Sequence, residues 1–488
     1  MSELAAELVF IPSPGLSHVI PTIEAAKLLL ARGGGDDRRC RLSITVLIVR
    51  LPEKGDEQKD KMLSEIKETI PDIRFIDLPF DHIVPGADSP TFRFTYILSR
   101  ADKIKQILSD LIEKPSVPGS RLAGLVLDMF CTNLIQVGEE LSIPSYVYYT
   151  AGAFSLGVYY DIVSLKFEQN QDLAQYKDSD TQVSSRCASQ PLPAKVLTRI
   201  FVNGSPLGDI FLQYFRKFAS AKGVLINTFY ELESYAVDSL SAHYKSYPKV
   251  YPIGPILKDN QGSGDPSVDD LMTWLDDQPE ESVVFLCFGT MGAFEGAQVR
   301  EFAEALEGSG SRFVWSLRKP TSSLLPGEYG DYGEVLPEGF LERTAGVGRV
   351  IGWAPQVAVL AHRAVGGFVS HCGWNSVLES VWHGVPVAAL PLYGEQQINA
   401  FELVRELGMA EEIRIDYRID IAGQEKAEIV PAGDIEAAIR RLMAADGGAR
   451  GRVKEMQRKS REVLKEEGSS YASQVEFFQD VLRSVGLE

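Results

Sequence analysis

The stretch Phe368–Val387, FVSHCGWNSVLESVWHGVPV, joins a short apolar run to a helical pattern through a turn of histidine, cysteine and glycine. With the residues just before it, GGFVS (366–370) reads as a buried strand. Trp374, Val377, Leu378, Val381 and Trp382 recur at i, i+3, i+4, i+7 and i+8, one face of a helix, and Gly384 with Pro386 beyond marks its end. Strand, glycine-bearing turn and helix in that order are the building block of a parallel α/β sheet. Two readings compete for the turn. Asn375 and Ser376 fall in the first helical turn, and Ser376-x-x-Glu379 fits a capping box that satisfies orphan amides. The other reading is an anion cradle, in which Gly373 permits close backbone approach and the free amides face the anion. His371, Asn375 and Ser376 would then add side-chain donors.

His371-Cys372 also invites metal and nucleophile readings, and both are weaker. A metal needs three or four ligands at suitable spacing, whereas the nearest other histidines, His362 and His383, flank the strand-turn unit on opposite sides. A nucleophilic cysteine needs an acidified, exposed thiol, and no carboxylate adjacent in sequence orients the histidine as its base. Cys372 reads as a small buried filler.

Outward from this unit, short apolar runs alternate with helical patterns from end to end, the mark of an α/β fold. A first series holds ELVFIP (7–12), LSITVLIV (42–49), FIDLP (75–79), LAGLVLDM (122–129), SYVYYT (145–150) and GVLINTF (223–229). After the first of these, Val19, Ile20, Ile23, Ala26, Leu29 and Leu30 keep helical spacing until Gly33-Gly34-Gly35 stops them. A second series holds SVVFLCFGT (282–290), RFVWSLR (312–318), RVIGW (349–353), GGFVS, VPVAALP (385–391) and MAEEIRI (409–415). Between the two lies LKDNQGSGDPSVDD (257–270), polar and rich in Gly and Asp, which reads as a linker. Residues 151–206 and 318–334 show no clear period and are expected to be irregular loops near a site.

With 488 residues the chain exceeds what one core usually supports, and two domains are expected. A net charge of −18 opposes nucleic acid or an anionic membrane surface as partner. Helix amides can still attract a small anion regardless of net charge. The five cysteines, without any C-x-x-C spacing, suit a reducing compartment and neither a disulfide framework nor a zinc site. The start, MSELAAELVFIPSPG, has neither a signal-peptide nor a transit-peptide pattern, and no run of about 18 apolar residues would span a bilayer. A cytoplasmic protein is expected.

From Trp353 to Gln396 the chain reads WAPQVAVLAHRAVGGFVSHCGWNSVLESVWHGVPVAALPLYGEQ, and this resembles, without a gap, the signature box of plant family 1 UDP-sugar glycosyltransferases. PSPGLSHVIP at the start, LVLDMF, PLPAKVL (191–197), YPIGPIL and VVFLCFGTMGAF fit the same family. The resemblance implies a GT-B fold of two Rossmann-like parallel-sheet domains facing across a cleft. It implies an acceptor-binding domain over 1–256, with a C-terminal helix of about 465–488 crossing back to it, and a UDP-sugar-binding domain over 271–464. The site residues follow from matching positions. Trp353 would stack on uracil, Ala354 would offer its backbone, and Gln356 would reach the nucleoside. Glu379 would accept from the ribose hydroxyls. His371, Gly373, Asn375, Ser376 and Thr290 would hold the diphosphate. Trp374 would lie beside the sugar, Glu395 and Gln396 would bond its hydroxyls, and Thr150 would reach the sugar from the first domain.

The reacting pair implied by the resemblance is His18 with Asp128. Taken alone, His18 follows the first strand at the turn into its helix, the carboxyl-end position where open α/β sheets place ligands. Asp128 ends a buried apolar run, where an unpaired carboxylate would be costly. The family pattern makes His18 the base that deprotonates an acceptor hydroxyl and Asp128 its orienter, in one inverting displacement that expels UDP. The resemblance therefore implies glucose transfer from UDP-glucose to a phenolic, flavonoid or terpenoid hydroxyl, by a monomer without metal or other cofactor. Three positions depart from the pattern: Ser17 where glycine is common, Thr290 for serine, and Arg363 for proline. Rival readings are a silent sugar-nucleotide-binding protein, a C-glycosyltransferase and a sugar-nucleotide epimerase. A nicotinamide oxidoreductase is disfavoured, because no G-x-G-x-x-G follows the opening strand.

Overall fold

Leu8, Val9, Phe10 and Ile11 are shut off from solvent on both faces of the first strand. Such continuous burial is what a parallel sheet covered by helices on both sides demands. Around this strand, β1 (Leu4–Ile11), gather β2 (Cys40–Val49), β3 (Ile73–Leu78), β4 (Ser120–Asp128), β5 (Ser145–Tyr149), β6 (Gly223–Ile226) and β7 (Lys249–Pro252). They form a seven-stranded sheet in the order β3-β2-β1-β4-β5-β6-β7, with every pairing parallel. The computed structural model describes residues 4–33, 40–51, 57–78, 92–115, 117, 119–258, 266–321, 326–419 and 428–487.

The chain divides into two compact units. The first comprises Met1–Leu173, Gly204–Lys258 and Val463–Glu488, and the second Ala174–Asn203 and Asp259–Glu462. In the first unit, helix α1 (Leu16–Arg32) follows β1 and buries Val19, Ile23, Ala26 and Leu29 against the sheet. The C-terminal helix, Ser469–Ser484, completes the same core. Phe477 packs edge-on against Tyr146 and Tyr251, and Gln474 donates to the Ile253 carbonyl while accepting from Arg32.

The second unit carries β8 (Val283–Cys287), β9 (Arg312–Ser316), β10 (Gly348–Ile351), β11 (Val365–Ser370), β12 (Val387–Ala389) and β13 (Ala410–Glu412). Its order is β10-β9-β8-β11-β12-β13, again entirely parallel. Phe285 and Phe368 stack on neighbouring strands, 5.3 Å between centroids.

Three expectations need correction. Residues 151–206 are not simply irregular: Ala153–Phe167 form a helix, α2, whose residues from Ala153 to Tyr160 are all buried. A helix enclosed on every side has no polar face, so no 3.6-residue period marks it. Residues 174–203 leave the first half of the chain and pack within the second unit, with a short antiparallel ladder between Gln182–Val183 and Leu192–Pro193. The edge strand β7 went unread because Pro252 breaks the strand pattern, although proline is tolerated where no ladder bond is needed. Of the linker expected at 257–270, residues 259–265 lie outside the described residues, and 266–270 are not linker but the start of a helix, Pro266–Asp276. Among the described residues no helix is long and apolar enough to cross a membrane.

Candidate active site

Both sheets share one topological feature. Their first and fourth strands lie side by side, β1 with β4 and β8 with β11, and the connections leave these pairs in opposite directions. At such a switch point the carboxyl ends of the strands open a crevice for ligands. His18 and Asp128 stand at this point in the first unit, and Gly289, Thr290 and His371–Gly373 stand at it in the second.

In the first unit, His18 occupies the first turn of α1 and Asp128 is the last residue of β4. His18 Nδ1 lies 2.8 Å from Asp128 Oδ2. The other carboxylate oxygen, Oδ1, accepts from the Phe130 amide at 3.0 Å, so the fully buried Asp128 is held at both oxygens. A carboxylate can only accept, which puts the proton on Nδ1 and leaves the lone pair on Nε2. Phe130 packs against the imidazole with centroids 5.2 Å apart, restricting its rotation, and the His18 side chain keeps 21% of its surface exposed. Burial, reinforced by the Asp128 charge, pushes the Cys131 thiol up, so it stays protonated and inert. Thr150 follows β5 and is half-buried.

In the second unit the turn after β11 is strained. Cys372 has φ +60, a left-handed conformation that costs a non-glycine residue about 1–3 kcal/mol. Side chains hold it there: Ser370 Oγ accepts from the Cys372 amide at 3.2 Å, and the Asn399 amide donates to the Cys372 carbonyl at 2.9 Å. Burial pushes the Cys372 thiol up, which fits a filler and not a nucleophile. His371 fills a slot between two glycines. A Cβ on Gly289, whose φ is +74, or on Gly373 would come within 2.6 Å of its Nε2. Burial alone pulls the His371 pKa down to about 4, so the ring is neutral, and its Nδ1 has no hydrogen-bond partner among the described residues.

Helix α4 (Trp374–His383) starts on Gly373, and no side chain caps it. The capping-box reading of Ser376 and Glu379 is therefore corrected. Ser376 is the third helical residue, three positions too late to be the cap, and Glu379 lies a further turn along. Both instead meet Gln356, the first residue of α3 (Gln356–Ala361), whose Nε2 donates to Ser376 Oγ at 2.8 Å and to Glu379 Oε2 at 2.7 Å. Gly373 has no side chain with which to cap the helix, and a helix N-terminus is suited to an anion.

The remaining residues belong to the same unit. Trp353 is 52% exposed, a large indole face offered to solvent, while Ala354 beside it is buried. Asn375 and Thr290 are exposed, and Trp374 is buried to 3%, which leaves only a sliver of its ring for a ligand. Glu395 and Gln396 begin α5 (Gln396–Phe401). Gln396 Oε1 accepts from the Leu392 and Tyr393 amides at 2.9 and 3.1 Å, so its NH2 is the end left to act as donor. Sequence reasoning passed over Gly289 and Asn399. The positive φ at Gly289 and the burial of Asn399 carry no local pattern beyond FGT and QQINAF.

A family model described as UDP-glucoronosyl and UDP-glucosyl transferase matches residues 242–416. The chain is 46% identical to UDP-glucose flavonoid 3-O-glucosyltransferase 6 of Fragaria ananassa, over 98% of this chain and 99% of that one. Its fold is similar to a UGT transferase from Siraitia grosvenorii in complex with UDP, with a TM-score of 0.86, 42% identity, and coverage of 98% and 100% of the two chains. It is also similar to Medicago truncatula UGT71G1 complexed with UDP-glucose, with a TM-score of 0.84, 36% identity, and coverage of 99% and 100%. With two parallel-sheet units of the GT-B type and full-length relatives of this kind, the chain belongs to the plant family 1 UDP-sugar glycosyltransferases.

Proposed function

We propose that the protein transfers glucose from UDP-glucose, with inversion, to a hydroxyl of a small lipophilic plant metabolite of the phenolic, flavonoid or terpenoid class. The observation that carries the reading is the His18–Asp128 pair, a base oriented by a buried carboxylate. The UDP-glucose flavonoid glucosyltransferase of Fragaria ananassa and the UDP-glucose complex from Medicago truncatula support the choice of donor.

In this reading His18 Nε2 takes the proton of the acceptor hydroxyl, and Asp128 stabilises the imidazolium that forms. The acceptor oxygen attacks the anomeric carbon as the bond to UDP breaks, so no glycosyl-enzyme forms. A positioned base contributes about 10² to 10⁴ in rate, or roughly 3 to 5.5 kcal/mol. The charge that develops on the departing diphosphate is met by the first-turn amides of α4 and by donors from His371, Asn375, Ser376 and Thr290. His371 acts as a neutral donor, because burial keeps it from protonating near pH 7. Trp353 supplies the stacking face for uracil, Ala354 its backbone, and Glu379, held by Gln356, the acceptor for the ribose hydroxyls. For the sugar the reading takes Trp374, Glu395 and Gln396 of the second unit as partners, and Thr150 as the hydroxyl that the first unit would contribute. The same reading includes a monomer in the cytosol, and the four described free cysteines, all buried, suit that compartment.

The test is a mass-spectrometric screen of UDP-glucose against phenolics, flavonoids and triterpenoids with the purified protein. Hexosylated product with matching UDP release is expected. Binding of UDP-glucose without turnover, or donor consumption without an acceptor, would replace the reading with a silent binder or an epimerase.

A further inference from the structure

The segment Ala174–Asn203 lies between two stretches of the first unit in sequence, yet it belongs to the second unit. Its attachment points there are specific. The buried Thr198 hydroxyl donates to the Gly394 carbonyl at 2.9 Å. Gln190 donates to the Arg405 carbonyl, the Ser189 amide donates to the Glu406 carboxylate, and Arg418 donates to the Lys195 carbonyl. These contacts hold both ends of one short piece of chain, the loop before α5 and the turn that follows it.

Gly394 directly precedes Glu395 and Gln396. Its φ of +71 is left-handed, so the loop makes a sharp turn there that its own side chains do not define. Gln396 Oε1 ties the Leu392 and Tyr393 amides from one side of that turn, and Thr198 ties the Gly394 carbonyl from the other. A carbonyl held by a buried hydroxyl is a fixed point. If it is released, the peptide between Gly394 and Glu395 can rotate and carry the Glu395 side chain with it.

We infer that Thr198, carried by the 174–203 segment, is a positioning residue for the donor sugar: it fixes the Gly394–Gln396 turn and thereby the discrimination among sugars that differ in one hydroxyl. The inference rests on the reading of Glu395 and Gln396 as sugar-binding residues. Its physical basis is that hydrogen-bond readout of a hydroxyl depends on placement, since donors displaced by about 1 Å lose most of their geometric selectivity. UDP alone makes no demand on this turn, because its proposed partners lie at residues 353–356, 371–379 and 290.

The experiment compares wild type with Thr198→Val, which removes the hydroxyl at nearly constant volume, and with Thr198→Ser, which restores it. Three quantities are read: the Kd of UDP by calorimetry, the KM of UDP-glucose, and the kcat/KM ratio for UDP-glucose over its C4 epimer UDP-galactose. Thr198→Val should leave the UDP Kd unchanged, raise the KM of UDP-glucose about 3- to 10-fold and lower the epimer ratio by at least about 3-fold, the scale of one lost hydrogen bond. Thr198→Ser should return both towards wild type. A general loss of folded protein would lower kcat for both donors equally and leave KM and the ratio in place, which would overturn the inference. If Thr198→Val does not fold, Gln190→Ala, at an exposed anchor of the same segment, should show a smaller shift in the same direction, and an unchanged ratio there would also overturn it. Wild type that consumes no UDP-sugar would instead defeat the functional reading beneath.

Discussion

His18 Nδ1 lies 2.8 Å from Asp128 Oδ2, while Asp128 Oδ1 is occupied by the Phe130 amide. The pair is thus a one-directional device: the carboxylate has no freedom to swing away, and the imidazole has one defined tautomer. His18→Ala is expected to lower kcat by about 10² to 10⁴ while the Kd of UDP stays at the wild-type value. Asp128→Asn should also depress turnover, because an amide NH2 facing Nδ1 favours the tautomer that has its proton on Nε2. Near-wild-type turnover by His18→Ala on an alcohol of ordinary acidity would remove His18 from the role of base.

Gln356 joins Ser376 to Glu379 through a single NH2 group. Replacing it by glutamate sets a second carboxylate against Glu379 at hydrogen-bond distance. Gln356→Glu should weaken UDP binding about tenfold or more at pH 7 by like-charge repulsion. Part of the loss should return as the pH falls and the two carboxylates share a proton. Calorimetric titration with UDP at pH 7 and pH 5 checks both halves of the expectation.

The slot around His371 separates backbone strain from side-chain clash. Gly289→Ala adds a Cβ 2.6 Å from His371 Nε2 at a position whose φ is +74. Gly373→Ala makes the same clash at φ −62, where alanine is unstrained. Both should weaken UDP binding by displacing the imidazole. Only Gly289→Ala should carry an additional stability loss of about 1 kcal/mol or more, read as a lower urea midpoint.

His371 should also make the protein acid-sensitive. Its folded pKa of about 4 lies below the unfolded value near 6.5, so between these values the unfolded chain binds the proton and the folded chain does not. Stability therefore falls as the pH drops from about 6.5 to 4, by about 3 kcal/mol from this residue at the lower end. His371→Asn should flatten that segment of the stability profile without removing it, because burial and the neighbouring Arg461 charge also depress His383, to about 4. Urea melts at pH 7, 5.5 and 4.5 measure the slope.

Chelation is the last test. The proposed diphosphate partners are amides and neutral side chains, which can meet the charge without a divalent cation. EDTA is expected to leave glucose transfer unchanged. Loss of activity with EDTA and its return with Mg²⁺ would require a metal in the donor site.

Much of the fold was legible because burial leaves a record in composition. Leu8–Ile11 and Val46–Val49 are apolar on consecutive residues, as a strand covered on both faces requires. Helix α4 was legible for a related reason, since one packed stripe and a glycine stop mark its length. Helix α2 was not, because burial of every residue from Ala153 to Tyr160 erases the period there. The Ser376–Glu379 spacing misled for the opposite reason: it satisfies a local rule, but the helix begins two residues before the cap that rule requires, and a distant glutamine takes both side chains.

The sequence by itself determined the strand-turn-helix units, the class of sheet, and the residue types gathered near each switch point, because these follow from local pattern. Only the tertiary structure decided the partnerships: His18 with Asp128 across 110 residues, Gln356 with Ser376 and Glu379, Asn399 with the Cys372 carbonyl, and Thr198 with Gly394. Hydrogen bonds between residues so far apart in the chain have no periodicity, because what sets them is the order in which parallel strands assemble and the burial that makes an unpaired polar group costly.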